Sequence, residues 1–213
     1  QQNDPSVTQL DWDYLYNANY NNLYTQNNID GVNFTSLTMK RSKYIVEEYR
    51  LDPRHFGLNS FGKYIINEFY QINFGVSLSK YKSKNYKIMN DLLGGDYWVD
   101  IDQFAQRDFA DPNIAQNDLQ NINNIIEEGD VFGYNYDIHI DKNEIFGEYN
   151  YNKNKMESFV GLTLSNTAFW RNGKMQNGRF PNSSLGESDE QNFINYGVKI
   201  GFLYKLTGRH IIS

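Results

Sequence analysis

Residues 194 to 206 alternate without a break. Ile194, Tyr196, Val198, Ile200, Phe202, Tyr204 and Leu206 fall on one parity, and Asn195, Gly197, Lys199, Gly201, Leu203 and Lys205 on the other. Successive side chains of a strand point to opposite faces, so this spacing predicts one long strand with an apolar face and a mostly polar one. At roughly 3.3 Å per residue it would run about 40 Å, whereas strands of ordinary soluble domains have about 5–6 residues. The pattern recurs at 56–66 (Phe56, Leu58, Ser60, Gly62, Tyr64, Ile66), 71–81 (Ile72, Phe74, Val76, Leu78), 144–151 (Ile145, Gly147, Tyr149, Tyr151) and 156–165 (Val160, Leu162, Leu164). SLTMKRSKYIVEEYR, residues 36–50, is expected to extend the first of these upstream.

The connections alternate as well. A short one joins Asn67 to Tyr70, and more than fifty residues then run from Lys82 to about Tyr134. The four-residue turn NKNK follows, then about twenty residues from Arg171 to Gln191, then the tight turn LTGRH into a sixth strand that reaches Ser213. Long structureless connections are uncommon in compact soluble domains. Outer-membrane barrels alternate short periplasmic turns with long extracellular loops. The expectation is an all-β chain, an antiparallel transmembrane β-barrel segment of five to six strands with long extracellular loops. Its apolar parity would face lipid and its Gly, Ser, Thr, Asn, Lys and Glu a wet lumen, with Tyr204 and Trp170 in the two interfacial aromatic girdles. The rival is a soluble β-sandwich that buries one face against a second sheet. Five or six strands do not close a membrane barrel, and an open edge in lipid leaves backbone groups unpaired, so residues 1–213 are expected to be part of a larger barrel.

Composition narrows the classes. The chain has 213 residues, of which 39 % are hydrophobic and 16 % aromatic, with 17 Tyr and 14 Phe, at a mean hydropathy of −0.70. Such a chain is polar on average yet rich in rings, an odd mixture for a globular enzyme. Asn-rich stretches such as NANYNN and NDLQNINN favour turns and polar loops. The lack of Cys removes disulfides, thiolate metal sites and a Cys nucleophile. A net charge of −6 without a basic cluster argues against a nucleic-acid partner. No run of about 18 apolar residues offers a transmembrane helix, and QQNDPSVTQLDWDYLY has neither the basic start nor the apolar stretch of a signal peptide.

Four stretches carry a resemblance. NDLLGGDYWVDIDQFAQRDF (90–109), GDVFGYNYDIH (129–139), FWRNGKMQNGRFP (169–181) and NYGVKIGFLYKLTGRH (195–210) look like the barrel of TonB-dependent receptors of Bacteroidetes-type bacteria. The closest look is to those that carry a carboxypeptidase-like regulatory domain. The resemblance covers about residues 33 to 213, a middle slice of such a receptor. It implies a place in the outer membrane of a Gram-negative bacterium, a barrel of about 22 strands around a plug, and energised nutrient uptake. The implied partners are the rest of the barrel and its plug, the TonB complex through that plug, a surface lipoprotein and outer-membrane lipid. No stretch resembles the plug, a TonB-contacting box or the closing strand, so this segment is expected to supply wall and loops only. The rivals are a secreted carbohydrate-binding sandwich and a passive porin-like barrel.

Candidate chemistry lies in the long connections. Flat aromatic faces stack sugars and other extended ligands, which points to Tyr97, Trp98, Phe169 and Trp170, with Arg171, Asn172 and Lys174 as hydrogen-bonding neighbours. The bland alternative has Trp170 anchoring the interface and Trp98 packing its loop onto itself. Asp100 and Asp102 in DYWVDID belong to a run of nine acids between Asp96 and Asp130 that could hold Ca²⁺. The EF-hand glycine and final Glu are missing, so the run reads as a solvated acidic loop, and no cofactor is expected. His55, His139 and His210 are isolated, with no HExxH, GxSxG, P-loop or dinucleotide fingerprint, so no catalytic residues, no metal site and no enzyme are expected.

Overall fold

The computed structural model describes residues 9–33, 35–207 and 210–213. It is all-β, 59 % strand and 11 % helix, with antiparallel ladders. The chain divides into two compact units, one of residues 1–52, 84–137 and 171–188, the other of 53–83, 138–170 and 189–213. Four strands have residues in both: β3 (Val46–Ile65), β4 (Tyr70–Asp91), β7 (Val131–Lys153) and β8 (Met156–Gly173).

The second unit is a single antiparallel sheet, in which β3, β4, β7 and β8 are followed by β10 (Gln191–Lys205) and β11 (Ile211–Ile212) in the order β11-β10-β8-β7-β4-β3. Its register sorts residues by polarity. Tyr196, Val198 and Ile200 lie opposite Leu164, Leu162 and Val160, whereas Asn195, Gly197 and Lys199 lie opposite Ser165, Thr163 and Gly161. Because the side-chain period is two, a slip by one residue would mix the faces along the whole ladder. The apolar face is bare: Ile194, Tyr196 and Ile200 are 75, 85 and 73 % exposed.

The polar face is knitted together. Asn73 Nδ2 and Asn150 Nδ2 donate to Glu148 Oε1 at 3.0 and 2.8 Å, and Lys205 pairs with Glu157. Two Phe rings fill gaps beside glycines, Phe146 over Gly75 and Phe159 over Gly201. The turns are tight. Ile66 N donates to Tyr70 O at 3.0 Å while Asn67 Oδ1 accepts from Phe69 N and Tyr70 N, and Asn154 takes a left-handed φ of 56°. Gly208 and Arg209 of the LTGRH turn lie outside the described residues, as do residues 1–8.

The first unit has its own core. Met89, Leu92, Ile126 and Phe132 form one buried cluster with Ile45 and Trp98 packed on it, and Tyr97, Val99 and Ile101 form another with Leu37 and Ile125. Three short ladders serve it, β1 (Leu23–Asn27) with β2 (Ser36–Lys40), β5 (Trp98–Val99) with β6 (Ile125–Ile126), and β9 (Gly186–Glu187) with the end of β8. The Asn-rich start is not a loop. Helix α1 (Trp12–Tyr20) is capped by Asp11, whose Oδ1 accepts from Tyr14 N, and its Asn19 is fully buried. Asn19 Nδ2 reaches the carbonyls of Tyr44, Leu92 and Leu93 at 2.7–3.1 Å, and its Oδ1 accepts from Lys43 N and Tyr44 N. A satisfied buried amide of this kind fixes the helix to the ends of two strands.

Three expectations about the elements are corrected. SLTMK is not an extension of the first long strand but the separate strand β2, hydrogen-bonded to β1. The long strands begin or end well beyond the alternating stretches, so the connection expected over 82–134 shrinks to 92–130 and the one over 171–191 to 174–190. The acidic connection is solvated only in part: Asp96, Asp108, Asp111, Glu127, Glu128 and Asp130 are exposed, Asp102 is half-buried, and Asp100 and Asp118 are buried. Its carboxylates accept from backbone amides: Asp96 from Lys40, Asp102 from Phe104 and Ala105, Asp111 from Asn113, Asp118 from Gln120 and Gln176, Glu128 from Leu92, and Asp130 from Glu127. Short acidic side chains satisfy the amides that irregular backbone leaves unpaired, which explains the excess of Asp.

Candidate ligand cleft

Within the first unit a cleft of about 500 Å³ is lined by Asp102, Tyr134, Tyr136, Arg171, Arg179 and Phe180, with Asn177 and the two serines 183 and 184 at its edge. Each wall has a local cause. Tyr134 and Tyr136 share a face of β7, with ring centroids 5.6 Å apart. Asp102 is the N-cap of helix α2 (Gln103–Asp108), where Oδ1 accepts the amides of Phe104 and Ala105 at 2.9 and 3.0 Å. Its other oxygen faces Arg179 Nη1 at 3.6 Å.

Arg171, near the end of β8, folds the following loop back on itself. Its Nη2 donates to the carbonyls of Ser183 and Ser184 at 2.7 and 3.0 Å, and Asn177 N donates to Ser184 Oγ at 2.8 Å. Lys174 fastens the same loop to β7 through Asp137 Oδ1, 2.9 Å, and through its own amide to Asn135 O, 2.9 Å. The cleft thus combines three aromatic faces, two guanidinium groups and one carboxylate. It suits a polar, ring-bearing ligand that stacks on one side and accepts hydrogen bonds on the other. Among the described residues no group of three or more His, Asp or Glu is placed to hold a metal ion.

The residues singled out by the sequence scatter over three places. Asp102 and Arg171 meet in the cleft. Tyr97 is 1 % exposed within a core cluster, its hydroxyl donating to Tyr24 O at 3.3 Å, and burial pushes its phenol pKa up. Trp98 packs on the neighbouring cluster. The Tyr97 ring is buried, whereas Trp98 is partly exposed. Asp100 is also 1 % exposed. Its Oδ1 accepts from Asn117 Nδ2 at 2.8 Å and Gly133 N at 2.9 Å, while Oδ2 is buried without a hydrogen-bond partner, and burial raises its pKa above the ordinary carboxylate value. Trp170 lies in the second unit, stacked on His139 at 4.9 Å and 12°. Sequence reasoning missed Tyr134, Tyr136, Arg179 and Phe180. The Tyr-x-Tyr of GYNYD was the one signal available, because two rings at that spacing share a strand face.

No family model matches this chain, and no curated protein and no solved structure matches it either.

Proposed function

We propose that this chain is a wall segment of an outer-membrane β-barrel of the TonB-dependent transporter type, its long connections together with the adjoining ends of β7 and β8 contributing the cleft of Tyr134, Tyr136, Arg171 and Arg179 to substrate capture. The observation that carries the reading is the apolar face of the second unit. Val160, Leu162, Leu164, Tyr196, Val198 and Ile200 form a continuous exposed surface, and no second sheet is present in that unit among the described residues. Such a surface needs an apolar partner. Hydrocarbon fits it better than a sandwich partner because the opposite face is polar and knitted, as a lumen requires. Tyr70 stacks with Tyr149 and Tyr151 near one set of turns, and Trp170 stands toward the other end of β8, which matches two interfacial girdles. Energised import rests on the resemblance of residues 90–109, 129–139, 169–181 and 195–210 alone.

Detergent extraction of the outer membrane of the source cells, followed by intact mass, tests this. The expected result is a polypeptide several times heavier than 25.0 kDa that precipitates when detergent is removed. A 25.0 kDa chain that stays soluble and monomeric would move the reading to a secreted binding module. In whole cells, Tyr136→Ala is expected to raise the half-saturating concentration for uptake by about tenfold, as stacking loses on the order of 1.4 kcal/mol.

A further inference from the structure

One rung of the second unit's sheet carries a run of polar and aromatic residues on the same side as the apolar band. Lys80 pairs with Asp141 at 3.4 Å, so two residues further along these antiparallel strands Lys82 stands opposite His139. His139 stacks on Trp170. A Cβ on Gly62 would meet the Phe74 ring, and the same antiparallel count brings Arg54 opposite Lys82. Arg54, Lys82, His139 and Trp170 therefore lie side by side across four strands, and all four line a hollow of about 350 Å³ with Lys80 and Asp141. Strand parity places them on the face of Phe74, Val76, Leu78, Ile145 and Leu164, with Lys82 two same-face positions beyond Leu78 and His139 and Trp170 three beyond Ile145 and Leu164.

We propose that this rung is the headgroup site of a phosphate-bearing membrane lipid whose acyl chains lie on the apolar band beneath it; the proposal rests on the membrane reading above. The hollow is lined by three cations, Arg54, Lys80 and Lys82, and one carboxylate, Asp141, which pairs with Lys80, so its lining is rich in positive charge at the end of a hydrocarbon-facing strip in a chain whose net charge is −6. Guanidinium and ammonium groups at that depth suit phosphate oxygens, Arg by bidentate bonds and Lys as a point charge. Trp170, with its ring on His139, marks the level where hydrocarbon gives way to headgroups. Free phosphate lacks the acyl chains that the band below would hold, so the lipid is the occupant.

The test is tryptophan quenching in vesicles containing the full-length polypeptide that carries this sequence. Dibrominated phosphatidic acid and dibrominated phosphatidylcholine are compared as quenchers, and the part of the signal lost in Trp170→Phe is assigned to Trp170. Phosphatidic acid is expected to quench that part at least about tenfold more effectively at low salt. Arg54→Gln/Lys80→Gln/Lys82→Gln should remove the preference while leaving quenching by both lipids, and Lys82→Arg should keep it. Inorganic phosphate in solution should leave it in place. Equal quenching of the unmodified chain by both lipids would overturn the headgroup site while the membrane reading stands. So would a preference that survives the triple substitution, or one abolished by inorganic phosphate. No quenching by either lipid would overturn the membrane reading and the site with it.

Discussion

Asp100 is a buried carboxylate of the first unit. It joins the acidic connection to the start of β7 through Gly133 N, yet one of its oxygens is buried without a hydrogen-bond partner. Desolvation disfavours the charged form, which is why its pKa is raised. A carboxyl whose folded pKa exceeds its unfolded value binds the proton more tightly when folded. Its contribution therefore favours folding in acid and is lost as the pH rises through the raised value. Amide exchange at Gly133, corrected for intrinsic rates, is expected to slow on acidification from neutrality toward the ordinary carboxylate range. Asp100→Asn should flatten that dependence, and an unchanged profile in the variant would show that other groups cause it. Asp102, two residues on, behaves differently because it caps a helix in a part-exposed position and keeps an oxygen turned to Arg179. Neighbouring acids of one motif thus take two roles set by environment alone.

Among the elements, the strands were legible where their two faces meet different surroundings. The run 194–206 alternates strictly because one side is bare and apolar and the other lies in a polar network, and in the middle of the ladder to β8 Tyr196, Val198 and Ile200 pair with Leu164, Leu162 and Val160. The extensions of β4 through KSKNYKIMND and of β7 through FGYNYDIHID were not legible, since polar residues stand on both parities there. Tyr97, Val99 and Ile101 do keep a period of two and end in one core cluster, but the interleaved acids disguised a buried strand as a solvated loop. The cleft was half legible for a related reason. Tyr134 and Tyr136 meet Arg171 and Arg179 only through the folded loop that Arg171 and Lys174 fasten, and no local spacing reports such a meeting. Gly75 and Gly197 make a contrast on this sheet. A Cβ at Gly75 would press on the Phe146 ring and come within 2.9 Å of the Ser60 carbonyl oxygen, whereas one at Gly197 would meet only Thr163 Cβ, at 3.8 Å. Gly75→Ala is expected to cost about 1–3 kcal/mol by overpacking, and Gly197→Ala to lie within about 0.5 kcal/mol of the parent, as read from denaturant midpoints in detergent. Equal midpoints for the two variants would mean that the rings over glycine do not hold the sheet.

For the molecule as a whole, the decisive contrast is between the two faces of one strand. Ile200 stands on the bare face opposite Val160, and Lys199 on the other opposite Gly161. Under the membrane reading, Ile200→Lys should cost about 2–4 kcal/mol if it sits near the bilayer midplane, and should reduce the fraction recovered in the outer membrane. Lys199→Gln should leave that fraction unchanged. If both variants partition like the parent, the apolar face does not touch lipid. The first unit bears on a different question. Between Met89 and Phe132 the chain supplies all four buried residues of one cluster, and Tyr97, Val99 and Ile101 of the other, from within the same continuous stretch. Such a segment brings most of its own hydrophobic support with it. The constraints on the two units differ: the sheet is bound by alternation and register, while the inserted segment is bound by its internal packing, by β4 and β7, and by the stretches that pack on it or hydrogen-bond to it, among them Asn19, Leu37, Lys40, Ile45, Gln176 and Arg179. Under divergence the inserted segment can change its size and recognition chemistry in concert with the residues of 19–45 and 174–179 that pack on it or hydrogen-bond to it, while the alternation and register of the sheet stay as they are.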